Sequence, residues 1–186
     1  MKENTSLAVT SPSEALSFQE VRMAIQEFLG EDLLSLEEHT RIPTSQDCVE
    51  LGDLWIEIPR HRFLEFVEFL GTLDFPHFHV ISGNDEGERV MLNYHFSLYR
   101  AAGRETQVGI SVKVRLSKDL LSMPSLWPMI PGVEYSEREI LELYGVDFVG
   151  LENKNLVFLP EDWDRSVFPK RRDETGLKPE HIRELS

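Results

Sequence analysis

Residues 132–150 read GVEYSEREILELYGVDFVG and residues 151–173 continue as LENKNLVFLPEDWDRSVFPKRRD, a short helix followed by a long run without clear period. Ser136 precedes Glu139 by three positions, the spacing of a capping box, so the pattern predicts that the helix starts there. Gly145 supplies the stop, because a residue without Cβ readily takes the left-handed conformation that closes a helix. Glu137 falls in line with Ile140, Leu141 and Tyr144 at helical spacing, which puts one carboxylate on or beside the apolar face. A carboxylate buried there needs a partner, since an unpaired buried charge is costly. Glu139 is accounted for by the cap, and Arg138 stands one turn from Glu142, where the two can pair. Local helix chemistry therefore explains most of Glu137-Arg138-Glu139, and these residues read as structural rather than catalytic.

Beyond the helix come Val146 and Phe148, the apolar segment Leu156–Leu159, the turn Pro160-Glu161-Asp162-Trp163, and the basic triplet Lys170-Arg171-Arg172. Glu137-Arg138-Glu139, the acid Glu142, the pair Leu143-Tyr144, and then Gly145, Phe148 and Gly150 resemble the characteristic motif of the 30 kDa subunit family of respiratory complex I, the NADH-quinone oxidoreductase. That family also contains the equivalent subunits of membrane-bound nickel–iron hydrogenases and related ion-pumping complexes. The Pro-Glu-Asp-Trp turn and the ending Phe168-Pro169-Lys170-Arg171-Arg172-Asp173 fit it too, and the turn is closer to the hydrogenase branch. Where the family usually has a histidine after the glycine and a basic residue four positions later, this chain has Leu151 and Asn155.

The resemblance implies an α+β fold, a two-layer domain of mostly antiparallel sheet with helices packed on it, and an extended C-terminal tail lying along a partner. It implies a non-catalytic peripheral-arm subunit on the cytoplasmic side of the membrane, beside a large hydrogenase-like subunit and iron–sulfur subunits. Electrons would pass through iron–sulfur clusters in those neighbours to a nickel–iron centre, with no cofactor in this chain. The equivalent subunit of a quinone-linked complex, serving NADH or a reduced deazaflavin, and a sulfur-reducing relative are the alternatives within the family. The implied motif residues are Glu137, Arg138, Glu139, Glu142, Tyr144 and Gly145. The implied docking residues are Trp163, Lys170, Arg171, Arg172 and Asp173, although a charge run of this kind is otherwise a solvated face.

Composition bounds the same picture from outside. A net charge of −14 argues against nucleic acid, whose phosphates need a basic face. No apolar run is long enough to span a bilayer, and MKENTSLAVTSPSE lacks the apolar core of a signal peptide, so no direct membrane insertion is expected. Cys48 is the one cysteine, and a thiolate-bound iron–sulfur cluster needs several.

Taken in order, residues 1–15 read as a polar tail, 16–150 as the domain and 151–186 as the extended tail. Ser17 and Glu20 form a capping box ahead of an amphipathic helix that Gly30 stops. Residues 31–51 read as loop with a short strand, and Leu54, Ile56 and Ile58 alternate as a strand. A helix is expected from Arg60 to Gly71. A strand in which Phe78 and Val80 alternate with His77, His79 and Ile81 leads through a turn at Gly83–Gly87 into a longer one. The longer strand has Val90, Leu92, Tyr94, Phe96 and Leu98 on its dry face, and after a turn at Gly103 Val108 to Leu116 alternate in a second long strand. The prolines of 122–131 suggest an ordered linker. A reading of another class uses His77 and His79, two apart on a strand, with His95 on the matching face of the next strand, as ligands of a small zinc enzyme.

Overall fold

The computed structural model describes residues 15–41, 51–103 and 106–181. The expected N-terminal tail, apart from Ala15, and Cys48 lie outside the described residues. The fold is α+β, with helices and a mostly antiparallel, mixed five-stranded sheet. The chain divides into two compact units, one of residues 1–79 and 94–114 and the other of 80–93 and 115–186.

In the first unit, helix α1 spans Phe18–Leu29 and is capped as the sequence predicts. The Ser17 hydroxyl accepts from the Glu20 N–H while the Glu20 carboxylate accepts from the Ser17 N–H at 2.8 Å. Gly30 ends it at φ +52°. Strands β1 (Ser35–Arg41) and β2 (Leu51–Glu57) are antiparallel, with Ser35 opposite Glu57. The segment read mostly as loop therefore forms a seven-residue strand. Its side chains do not alternate in polarity, and the backbone pairing with β2 is what holds it extended. A helical turn at Arg60–Arg62 leads into α2 (Phe63–Leu73), which runs past Gly71 and stops at extended Asp74, two residues before Pro76.

Strand β3 spans His77–Asp85, β4 Arg89–Leu98 and β5 Val108–Ser117, and each continues from one unit into the other. The sheet order is β1-β2-β5-β4-β3, and β2 pairs parallel with β5, with Ile56 beside Val112. Leu54, Ile56 and Ile58 are buried with Phe63, Phe66, Val67 and Leu70 of α2, and the Phe63 and Tyr94 rings lie 4.2 Å apart. Each such side chain contributes about 1.5–3 kcal/mol by leaving water. The opposite face is drier than its polarity suggests. Ser97 and Ser111 are buried there, bonded to exposed His79 and half-buried His95 respectively.

The second unit contains the ends of those strands, a short parallel pair of β6 (Ser122–Pro124) and β7 (Asp147–Val149), and helix α3 (Glu134–Tyr144). The proline-rich linker thus carries a strand of its own. Strand β3 also runs through Gly83 to Asp85, so the hairpin turn is shorter than the Gly83–Gly87 stretch suggests. Helix α3 begins two residues before Ser136, and no side chain caps it. A helical turn at Pro131–Val133 feeds into it, and proline presets the φ that starts such a turn, so the capping box expected for Ser136 and Glu139 is not used. Gly145 closes it in the left-handed region at φ +75°, and a Cβ there would also meet the Phe168 ring at 2.8 Å.

Candidate functional site

The motif residues gather around α3, and Glu137, Arg138, Glu142 and Tyr144 tie it to other stretches of its own unit. Glu137 is wholly buried. Its carboxylate accepts from the Ser125 hydroxyl at 2.5 Å and the Leu126 N–H at 2.7 Å, which pins the end of the proline-rich segment. Burial pushes its carboxyl up to about 7, against the two hydrogen bonds that favour the anion.

Arg138 does not pair with Glu142. It reaches back one turn to Glu134 at 3.2 Å and donates to the Asn155 and Leu156 carbonyls at 2.9 and 3.1 Å. Glu142 instead receives three successive N–H groups, from Val157 at 2.6 Å and from Phe158 and Leu159 at 2.9 Å. The expected ion pair is replaced because Arg138 is taken up by Glu134 and two carbonyls while Glu142 is held by three N–H donors. Asn153 completes the set by donating to Glu134 at 2.8 Å.

Residues 153–159 are therefore held along α3 by backbone bonds to side chains. The two positions that depart from the family pattern both lie in this part of the unit. Leu151 is buried, and position 155 works through its carbonyl, which any residue supplies.

Tyr144 is buried and donates its hydroxyl to the Gly83 carbonyl at 2.5 Å. A Cβ on Gly83 would meet the Tyr144 ring at 2.6 Å, so this glycine makes room for the tyrosine. Glu139 is half-exposed and does not cap the helix.

The basic triplet splits by role. Lys170 and Arg172 are exposed, while the Arg171 side chain keeps 8% of its exposure. Arg171 donates to Asp173 at 2.6 and 2.9 Å and to the Tyr144 carbonyl at 3.1 Å. Lys118 joins Asp173 and bonds Asp85 at 2.8 Å, and Asp85 also accepts from the Arg172 N–H at 2.7 Å. Burial would raise both carboxyls, but the surrounding donors outweigh it and hold Asp85 and Asp173 below the usual carboxylate range. No motif marks Asp85 or Lys118. Their only trace in the sequence is an acid and a cation at the ends of strands, a pattern too common to single them out. Trp163 is half-buried, with its indole N–H on the Val167 carbonyl at 2.9 Å.

The His77 and His79 rings lie 5.0 Å apart, but the three histidines do not turn their nitrogens to a common point. His79 meets the Ser97 hydroxyl at 3.0 Å, His95 meets Ser111 at 2.9 Å, and His77 faces the Arg100 guanidinium. Each ring nitrogen named is turned to a different neighbour, and no group of three His, Cys, Asp or Glu among the described residues could hold a metal ion. Burial lowers the pKa of all three, which leaves them neutral at pH 7. The zinc-enzyme reading is set aside on this geometry. The remaining site is a helix whose acids and arginine brace an extended segment of the same chain.

The chain belongs to the family described as "Respiratory-chain NADH dehydrogenase, 30 Kd subunit", which matches it over residues 56–180. Formate hydrogenlyase subunit 5 of Escherichia coli (strain K12) is 34% identical over 111 residues, covering 59% of this chain. The chain spans only 19% of the length of that relative. Membrane-bound hydrogenase subunit beta of Pyrococcus furiosus is 30% identical over 132 residues, 70% of this chain and 75% of that protein. Among solved structures, a chain of the membrane-bound sulfane sulfur reductase, an archaeal respiratory membrane complex, superposes with a TM-score of 0.62 over 83% of each chain. At 22% identity that likeness is one of fold. No helix among the described residues is long and apolar enough to cross a membrane.

Proposed function

We propose that this chain is the non-catalytic peripheral-arm subunit of a membrane-bound redox complex of the hydrogenase type, where it braces the large subunit on the cytoplasmic side. The observation that carries this reading is the Glu142 carboxylate receiving the N–H groups of Val157, Phe158 and Leu159. It spends a motif acid on presenting an extended segment whose Phe158 side chain is 66% exposed. Arg171 and Asp173 hold the chain further on, and the exposed Lys170 and Arg172, with the half-buried Trp163, supply the docking contacts. Iron–sulfur clusters and a nickel–iron centre belong, on this reading, to the neighbouring subunits, because one cysteine cannot ligate a cluster.

The test is an affinity pull-down of the chain from detergent-solubilised native membranes, with mass spectrometry of what accompanies it. A hydrogenase-like large subunit with ferredoxin-like chains is the expected company. A quinone-linked or sulfur-reducing set would reassign the complex, and recovery of the chain alone would overturn the docking role. Replacing Lys170 and Arg172 together by Ala should release the partner while leaving the circular dichroism of the isolated chain unchanged.

A further inference from the structure

Between α3 and the extended segment lies a cavity of about 210 Å³, lined by Leu141, Leu156, Trp163, Val167 and Phe168 and edged by charged groups. At about 30 Å³ for each water in the liquid, this is room for roughly seven water-sized groups, the bulk of a leucine or phenylalanine side chain. The two ionised groups that border its interior are already satisfied. Arg138 is taken up by Glu134 and by the carbonyls of Asn155 and Leu156, and Glu142 by three N–H groups. Nothing polar inside therefore calls for a charged or hydroxylated guest.

The rim differs. Lys154 and Arg165 are exposed and both line the opening. Lys154 is paired with exposed Asp147 at 2.5 Å, whereas Arg165 spends one nitrogen on the Lys154 carbonyl at 3.2 Å and makes no ion pair among the described residues. A planar guanidinium with donors left over is suited to a two-point grip on a carboxylate.

Resting on the proposed docking role, we infer that this cavity takes one apolar side chain of the partner polypeptide, with a carboxylate adjoining it held by Arg165. The cavity borders the segment that Glu142 and Arg138 hold in place, and Arg165 is tied to it through the Lys154 carbonyl. The motif acids thereby shape a socket as well as a strap.

The inference is tested on the isolated full-length chain, so it fails or stands independently of the pull-down. N-acetyl-phenylalaninate is titrated while the Trp163 indole N–H is followed by nitrogen–proton NMR, the signal being assigned with Trp163→Phe. Saturable movement of that signal at millimolar concentration is expected. N-acetyl-phenylalaninamide, which keeps the ring and loses the charge, should bind at least threefold more weakly, and acetate alone should not saturate. Arg165→Ala, at an exposed position that does not endanger the fold, should abolish the preference for the acid over the amide. No saturable movement, an equal response to acetate alone, or an Arg165→Ala chain that still prefers the acid would each overturn the socket.

Discussion

The first unit and the segment that follows α3 in the second cohere by different physics. In the first, α1 and α2 bury Val21, Ile25, Phe63, Phe66 and Leu70 with β2, β4 and β5 side chains, and the stabilisation is mostly apolar area removed from water. In the second, regular structure after α3 is limited to β7 and a single late helical turn among the described residues. What holds residues 153–176 is a set of side-chain anchors, Glu134, Arg138, Glu142, Arg171 and Asp173, on backbone groups and on each other. An apolar core tolerates changes that keep its volume, because dispersion and burial are not directional. An anchored segment depends on single atoms in single places, and losing one leaves several partners unsatisfied.

The largest break should come in the apolar unit. Phe63→Ala removes a fully buried ring against Tyr94 and should cost about 4 kcal/mol of stability, read as a lower denaturant midpoint. Loss well below about 2 kcal/mol would mean that α2 contributes less than its burial implies.

Glu142→Ala should cost about 3 kcal/mol, since it strands three N–H donors. Its signature differs from that of Phe63→Ala. Hydrogen exchange should rise first at residues 157–159 and leave the amides of α1 and α2 protected. Uniform acceleration would erase the distinction between the two units.

The pH dependence sharpens the comparison further. Glu137 has its folded pKa raised to about 7 from an ordinary 4.5, so the folded chain binds more protons across that window. Stability from this group is greatest at low pH and falls as pH rises through the window, by about 3 kcal/mol in all. His77, His79 and His95, with folded pKa values below 6.5, act in the opposite sense and favour the folded state as pH rises towards 6.5. The difference between wild type and Glu137→Gln, measured by denaturant titration from about pH 4.5 to about pH 7.5, isolates the glutamate. A difference that does not change with pH would remove the buried-carboxylate account.

The smallest contrast lies within the basic triplet. Arg171→Ala should cost about 2 kcal/mol through its lost bonds to Asp173 and Tyr144, and Arg172→Ala, whose side chain is exposed, less than about 0.5 kcal/mol. Equal effects in thermal melts would mean that the Arg171 knot does not hold the segment.

Much of the apolar unit is legible in the sequence. The Ser17–Glu20 box, the stop at Gly30 and the alternation of Leu54, Ile56 and Ile58 all report a local period, and local period is what a linear pattern records. Strand β1 is only half-visible because its extended form comes from pairing with β2 rather than from its own side chains. In the anchored unit the motif is legible as a set of residues but not as a set of bonds. Arg138 and Glu142 stand at ideal helical spacing for each other, yet both are drawn away by backbone groups 15 to 18 positions on.

The sequence by itself determined the family, the α+β composition and the apolar faces, because those depend on residue types at short spacing. Only the tertiary structure decided where α3 begins, which acid serves which segment, that Arg171 is enclosed while Lys170 and Arg172 are exposed, and that the histidine nitrogens meet different partners. Each of those outcomes turns on groups distant along the chain competing for the same hydrogen-bond donors and acceptors, and that competition is resolved only once the chain has folded.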